Sequence, residues 1–511
     1  MSEPADTHAA IRAKLADLGY TPSVRDVPAL VAYAAEPDAD DKAVLRALVR
    51  IGPALATAAA THVQTTPRVA PLLLRAIGKA GRQSGWKVAE VKRYFLPLLD
   101  SDEPRTRREA IVQLGKCCEV DAELEDLLLA RLLNPHDDAE RRALTDALGK
   151  VGSHKAYEAL RASGHARGAV MASRNSARGD GGVALDVPLA DSVLVAFRTR
   201  RGVERVLRTE LRARFGLMPE KTYPGLLLVR GLVSLRAALE LRTWVDVGIA
   251  HLAQRAELAD ALRALGPVLS AHSEGAATYR LDLPKASRGQ LWAQVEKLAT
   301  VSTLQNDPKA AVWELRSEPG LPLTVAWAKK IDDARFAYRV ADVPASSHPT
   351  IAAALAHVGG ADDGDKVWDP FVGAGLELAE RARLGPYAKL MGTDLEHDAL
   401  DAAEANLVGL RHLELNIGDS FRHDPGPVHL IISNPPMGRR VRRDGDLAAD
   451  LVGFLSHASK LLVPGGRLVW LSPFPEETAQ AARARRLDLE MAFAVDLGGY
   501  DVELQRMIKR A

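Results

Sequence analysis

The stretch VHLIISNPPM, Val428 to Met437, is an apolar run that ends in Asn434-Pro435-Pro436. That ending suits one kind of chemistry. An amino group attached to a conjugated ring is a poor nucleophile because its lone pair is delocalised into the ring. If the Asn434 side-chain oxygen and the Pro435 carbonyl each accept one N–H, the nitrogen is held near tetrahedral geometry and its lone pair is freed towards an electrophile. Two prolines stiffen the turn so that the acceptors are preformed. The chemistry is positioning, and no strong base is required.

Upstream, KVWDPFVGAGLELAERA (Lys366 to Ala382) reads as a buried strand, a tight turn and a helix. Glycine at 373 and 375 lets the backbone approach a ligand that a Cβ would exclude. A dinucleotide fingerprint needs a small residue at the sixth position of its glycine motif. Leu378 stands there, which argues against NAD. Asp394 lies 21 residues beyond Gly373, at the end of a second strand, in GTDLEHDALDAAEANL. A carboxylate there can accept from both hydroxyls of a ribose. NIGDSF (Asn416 to Phe421) puts a third acid, Asp419, after a third strand. One such acid alone is an ordinary helix cap or loop residue. With Asp369 at the first strand end, three acids at successive strand ends make that reading poor.

This order resembles the class I methyltransferases. The resemblance implies S-adenosylmethionine as cofactor, with Asp369, Phe371, Gly373 and Gly375 about its methionine part. Asp394 falls at the ribose and Asp419 at the adenine amino group, and Asn434 lies beside the transferable methyl. It implies a catalytic set of Asn434, Pro435, Pro436 and Met437, and a Rossmann-like sheet of order 3-2-1-4-5-7-6. LVPGGRLVWLSP (Leu462 to Pro473) and the hairpin within Leu489 to Arg510 supply its last strands.

The elements that must position these residues divide into an expected helical region 1–162, a flexible linker 163–191, an α+β region 192–340 and the methyltransferase domain 341–511. In the first, Gly52, Gly78, Gly115 and Gly149 recur at separations of 26, 37 and 34 residues and are expected to end corresponding helices. The region resembles HEAT-type repeats, an α-solenoid whose concave surface would take a protein partner or RNA. The linker is expected from its Gly and Ser content and from Arg167, Arg174 and Arg178.

The α+β region alternates strands (192–199, 225–231, 278–284, 311–318, 323–331) with helices (201–215, 234–244, 287–299). RGVERVLRTEL, NDPKAAVWELR and FAYRVADVP, in that order, resemble the ferredoxin-like and THUMP segments of THUMP-containing RNA methyltransferases, a family that includes guanine-N2 methyltransferases of rRNA and tRNA. The family's Asn-Pro-Pro-Tyr-Gly-x-Arg matches Asn434, Pro435, Pro436, Gly438 and Arg440. The resemblance covers roughly 191–511 and implies an RNA substrate whose guanine is single-stranded or flipped.

Met437 stands where that family has an aromatic that stacks on the base, worth about 1–3 kcal/mol. Phe454, Phe474 and Tyr500 are candidates to compensate. Leu376 and Glu377 also depart from the family's Thr or Ser, and His348 reads as a loop residue and not a base. Arg439, Arg440, Arg442 and Arg443 follow the Asn-Pro-Pro turn and are expected to contact RNA phosphates. Arg201, Arg205 and Arg208 are expected on one helix face, with Arg212 next along it. Two rival readings are methylation of a protein glutamine amide and a degenerate methyltransferase fold serving as a scaffold.

Bulk composition sets the frame. A net charge of +1, with 47% hydrophobic and 26% charged residues, is that of an ordinary soluble protein of several domains. It offers no global electrostatic case for nucleic acid, so that case rests on local patches. The only cysteines, Cys117 and Cys118, are adjacent, too few for a disulfide framework or a zinc site. With no signal-peptide pattern and no segment of membrane-spanning length, a cytoplasmic location is expected.

Overall fold

The computed structural model describes residues 4–17, 20–117, 120–165, 168–169, 172, 175, 181–252, 258–302, 304–343, 346–437 and 447–510. They fall into two compact units, residues 1–178 and 179–511. Among the described residues no helix is long and apolar enough to cross a membrane.

The first unit is helical around its own core, which runs from Ile11 to Ala172. Helices α1 (Asp41–Arg50), α2 (Ala70–Gln83), α3 (Pro104–Cys117) and α4 (Asp138–Val151) carry the recurring phrase, and each packs on the next. Three of the four glycines do not end them as expected. Gly52 follows α1 with φ +77°, but Gly78, Gly115 and Gly149 lie inside α2, α3 and α4. Their task is close approach: a Cβ on Gly115 would sit 2.8 Å from Ala147 Cα on α4, and one on Gly78 would collide with Gln113 of α3. Between neighbouring helices, Arg75 pairs with Glu109 at 3.0 Å, Arg107 with Glu140 at 3.3 Å and Arg108 with Asp137 at 3.1 Å.

The second unit holds two large sheets and a two-stranded one, in which Gly182–Val183 pairs with Ser273–Glu274. The first has β1 (Leu194–Arg198), β2 (Lys221–Tyr223), β3 (Leu226–Val229), β4 (Asp246–His251), β5 (Thr278–Asp282), β6 (Gln305–Asn306), β7 (Trp313–Ser317) and β8 (Thr324–Ala328), in the order β2-β3-β1-β4-β8-β7-β5-β6. Helices α5 (Glu204–Phe215), α6 (Leu258–Ala271) and α7 (Arg288–Ala299) contribute to its core with Leu207, Leu211, Leu262 and Leu298. The expected helix 234–244 forms only over Leu235–Ala238. Strand β4, central in the sheet, and α6, which carries Pro267, were not anticipated from the sequence pattern. Of the expected linker, Val183, Leu185 and Leu189 are buried in this core.

The second sheet comprises β9 (Lys366–Asp369), β10 (Lys389–Asp394), β11 (Leu413–Ile417), β12 (Val428–Ser433), β13 (Leu462–Ser472), β14 (Leu487–Asp496) and β15 (Asp501–Lys509). Its order, β11-β10-β9-β12-β13-β15-β14, is the expected 3-2-1-4-5-7-6, with only β15 antiparallel to its neighbours. Two apolar clusters contain residues of the sheet and its helices: Ile351 of α8 (Pro349–Gly359), Leu378 of α9 (Leu376–Arg383) and Ala403 of α10 (His397–Asn406) in one, and Phe454 of α11 (Leu447–Leu461) and Ala482 of α12 (Pro475–Arg483) in the other. Such two-sided cover is what a mostly parallel sheet requires.

Asp365, just ahead of β9, holds α9 in place. It binds the fully buried Arg381 at 2.9 Å and Arg467 of β13 at 2.6 Å. Arg381 also donates to the carbonyls of Asp362, Gly385 and Pro386 at 3.0, 3.2 and 3.2 Å. Only Nε of this buried guanidinium has no partner among the described residues, and removing Asp365 would leave a buried charge uncompensated.

Val203 and Val206, at the start of α5, sit in the same apolar cluster as Ile351, Phe493 and Val495 of the C-terminal sheet and its helix. The two large sheets of the second unit are therefore joined through a shared core.

Candidate functional site

Because β9, β10, β11 and β12 run parallel, their carboxyl ends open on one edge of the sheet. Chain order reverses between β9 and β12, where an open α/β sheet leaves a crevice for a ligand. Asp369 and Asp394 end β9 and β10, Asp419 follows β11 by two residues, and Asn434 follows β12 directly. The residues singled out from strand-end chemistry are thus brought to one edge.

The turn from β9 to α9 is shaped for approach. Gly375 caps α9 in the left-handed region, φ +79°, and a Cβ there would stand 2.8 Å from Leu407 Cδ1. Gly373, φ +48°, faces open space, its nearest neighbour being the Phe371 carbonyl 4.0 Å from where a Cβ would be. Its amide donates to Asp394 Oδ2 at 3.0 Å, while Glu396 N donates to Asp394 Oδ1 at 3.1 Å. Asp394 is thus aimed by two backbone amides, with lone pairs left for a ligand. Asp419 Oδ1 accepts from Phe421 N at 3.0 Å.

Asp369 is completely buried. Its Oδ1 accepts from Ser433 Oγ at 2.6 Å and from Phe371 N at 3.1 Å, and its Oδ2 is enclosed without a partner. Burial, and then the charge of Glu377, push its carboxyl well above the usual range. Glu377 is equally enclosed, and burial pushes it up to about 7. Two carboxyls in one dry site cannot both ionise freely.

Asn434 is half-buried, Pro435 buried, and Pro436 and Met437 half-buried. Asn434 Nδ2 donates to Ser347 Oγ at 2.8 Å, and Ser347 donates to Glu377. Asn434 Oδ1 is enclosed with no partner. A buried acceptor left open costs about 1–3 kcal/mol, which an incoming N–H would relieve.

Around this edge lies an aromatic group. Phe371 and Phe421 meet at 6.1 Å between ring centroids, and each packs on Phe454, at 5.4 and 5.9 Å. Phe454 is fully buried between them, Trp368 and Trp470, so this candidate stand-in for the missing aromatic belongs to the core instead. Met437 packs against the cluster that contains Val372 and Leu378. His348 caps α8: its Nδ1 accepts from Thr350 N at 3.3 Å and meets Thr350 Oγ1 at 2.8 Å. Burial, with the charges of Arg200, Arg339 and Arg335, lowers its pKa to about 4, so it stays neutral.

The expected arginine stripe is partly redirected. Helix α5 begins at Glu204, so Arg201 precedes it; its guanidinium lies 3.1 Å from Asp501 and 4.0 Å from Asp496. Arg205 lies over the Phe493 ring at 4.5 Å. Both therefore engage the C-terminal hairpin. Arg208 is exposed and forms no ion pair among the described residues. Arg439, Arg440, Arg442 and Arg443 lie outside the described residues. Ser347, Ser433 and Phe421 were not singled out from sequence; the signal available for the last two was adjacency to Asn434 and Asp419.

Residues 337–503 match the family model described as UPF0020, RMKL-like, methyltransferase domain. The chain is 37% identical over 133 residues to the tRNA (guanine(6)-N2)-methyltransferase of Thermus thermophilus, a match covering 25% of this chain and 39% of that protein. It is 26% identical over 137 residues to the tRNA (guanine(10)-N2)-dimethyltransferase of Methanothermobacter thermautotrophicus, again 25% of this chain and 39% of the relative. The chain thus spans about two fifths of each relative's length. In fold it is similar to the crystal structure of TrmN from Thermus thermophilus, with a TM-score of 0.50 at 24% identity, over 62% of this chain and 99% of that one.

The residues present fit the cofactor of such a domain. The orphaned Asp369 Oδ2 lies in a site where a cation would be welcome, Asp394 is aimed by two amides, and the backbone at Gly373 is open. The C-terminal segment is a methyltransferase domain with a class I-like fold, the kind that takes S-adenosylmethionine.

Proposed function

We propose that this chain methylates an exocyclic amino group of RNA, the N2 of a guanine in tRNA or rRNA. The observation that carries the reading is Asn434 Oδ1, enclosed and unpartnered at the switch point of the sheet. Bound S-adenosylmethionine would supply an electrophilic methyl on a positively charged sulfur. Asp394 would hold the ribose, Asp419 the adenine end, and Asp369 a cationic part of the methionine moiety. Asn434 Oδ1 and the Pro435 carbonyl would each accept one N–H of the amine and localise its lone pair. The proton released afterwards can pass to water, because the methylated amine is acidic enough to need no base.

Supporting the choice of substrate, both curated relatives are named as tRNA guanine-N2 enzymes. The likeness to TrmN covers more of the chain than the family segment alone, which fits a shared region ahead of the catalytic domain. The α+β region at 192–340 is assigned to RNA as a THUMP-like module, with Arg208 and the arginines at 439–443 as phosphate contacts. The HEAT-like helical unit is assigned to a protein partner or further RNA.

Incubation of the protein with labelled S-adenosylmethionine and tRNA or rRNA lacking the modification tests this, with nucleoside mass spectrometry as readout. N2-methylguanosine is the expected product. Label found only in protein glutamine, or none in any RNA, would discard the reading.

A further inference from the structure

The catalytic amide is useful only if its oxygen, and not its NH2, faces the substrate. Rotation by half a turn would replace an acceptor with a donor, and a donor opposes an incoming N–H. Something must choose between two shapes that are nearly identical, and the residues around Asn434 provide it. Ser347 gives its hydroxyl proton to Glu377 on α9. A hydroxyl has one proton to give, and a carboxylate has none to return. Towards Asn434, 2.8 Å away, Ser347 Oγ can therefore act only as an acceptor. The NH2 must turn to Ser347, and Oδ1 is left enclosed without a partner.

We propose that Ser347 and Glu377 are positioning residues that set the polarity of the Asn434 amide, so that its oxygen is the atom offered to the substrate amine. The inference rests on the amino-group reading above.

The direction of this chain depends on where one proton sits. With Glu377 ionised, each bond runs from Asn434 to Ser347 to Glu377. With Glu377 protonated, the carboxyl can donate to Ser347, whose own proton then becomes free for Asn434 Oδ1, and the flipped amide is the satisfied one. Burial pushes Glu377 up to about 7; the Ser347 hydroxyl and the backbone pull it down, and Glu380 on the same helix pushes it up. Facing it from β9 is Asp369, itself raised by burial, by Glu377 and by Asp394 of β10. From the start of α8, neutral His348 adds no charge. The reversal therefore falls near neutrality.

The test reads the amide directly. In the full-length protein labelled with nitrogen-15, the Asn434 side-chain NH2 is assigned by its loss in Asn434→Asp. Its resonances should move with pH about a midpoint near 7, and the transition should vanish in the near-isosteric Glu377→Gln. An unmoved signal in the wild type, or the same transition in Glu377→Gln, overturns the proposal. This needs neither RNA nor cofactor, so failure of the substrate reading would show separately, as absent transfer to RNA with the titration intact. As a second measurement, Ser347→Ala should lower kcat by about 10-fold or more, as misplacement of a catalytic group does, with cofactor affinity within about twofold of wild type. Unchanged kcat would equally overturn the proposal.

Discussion

His357 Nε2 on α8 lies 2.9 Å from Glu210 Oε1 on α5, so an imidazole of the methyltransferase domain meets a buried carboxylate of the α+β region. The same Glu210 accepts from Arg242 N at 2.9 Å and from Thr243 N at 3.1 Å, and also from the Thr243 hydroxyl. Arg242 continues the junction, its guanidinium binding Glu380 of α9, which also accepts from Tyr338 at 2.6 Å.

Loss of that carboxylate charge should loosen the junction. Burial pushes Glu210 up, but His357, Thr243 and the Arg242 amide together outweigh it, and its pKa is lowered. A lowered folded-state pKa contributes stability above the unfolded value and loses it as pH falls through the folded one. Glu210→Gln should therefore destabilise the second unit at neutral pH by about 1–3 kcal/mol, and by less in acid. Urea melts at two pH values check it; equal losses at both would contradict the assignment.

Two site variants should separate chemistry from binding. Asn434→Ala should lower kcat by about 10²–10³, the usual effect of removing one preorganised polar group at a reacting centre, while cofactor affinity stays within a few-fold. Asp394→Ala should instead weaken the cofactor by about 1.5–3 kcal/mol, as expected for hydrogen bonds to a charged group. Calorimetry with S-adenosylhomocysteine and single-turnover kinetics tell them apart. The reverse pattern would exchange the two roles.

The buried acid of α9 should make the fold less stable in base. The Glu377 pKa is raised on folding, so its favourable contribution is complete below the unfolded value and is lost as pH rises through about 7. Glu377→Gln should thus raise thermal stability above neutrality and change it little near pH 4, with an effect on the order of a few kcal/mol at most. A variant equally stabilised at both ends would show that the carboxyl does not change charge there.

Packing between the first unit's helices gives a separate test. Gly115→Ala would place a methyl 2.8 Å from Ala147 Cα. Over-packing of this kind costs about 1–3 kcal/mol, and an unaltered melting curve would show that α3 and α4 can move apart freely.

Much of the catalytic domain could be read from the chain alone. Apolar runs ending in Asp369, Asp394 and Asn434 encode both the strand and the polar group at its end, so local pattern and site coincide. The sheet order followed from resemblance of that pattern. Strand β4 was less legible, because its few apolar residues lie in a stretch with no clear alternation and its place at the centre of a sheet comes from partners far along the chain. The repeated glycines were recognised, but the purpose of three of them was not: a glycine that ends a helix, as Gly52 does, and one that lets two helices touch look alike until the second helix is in place.

The sequence by itself determined which groups stand at the strand ends, because a side chain's place on its own strand is a matter of local order. Tertiary structure alone decided that Arg201 and Arg205 engage the C-terminal hairpin, since their partners Asp501 and Phe493 lie nearly three hundred residues away. It also decided which way the Asn434 amide turns. That choice depends on a single hydroxyl proton shared among Asn434, Ser347 and Glu377, three residues far apart in the chain, and a hydrogen bond acquires its direction only once donor and acceptor meet.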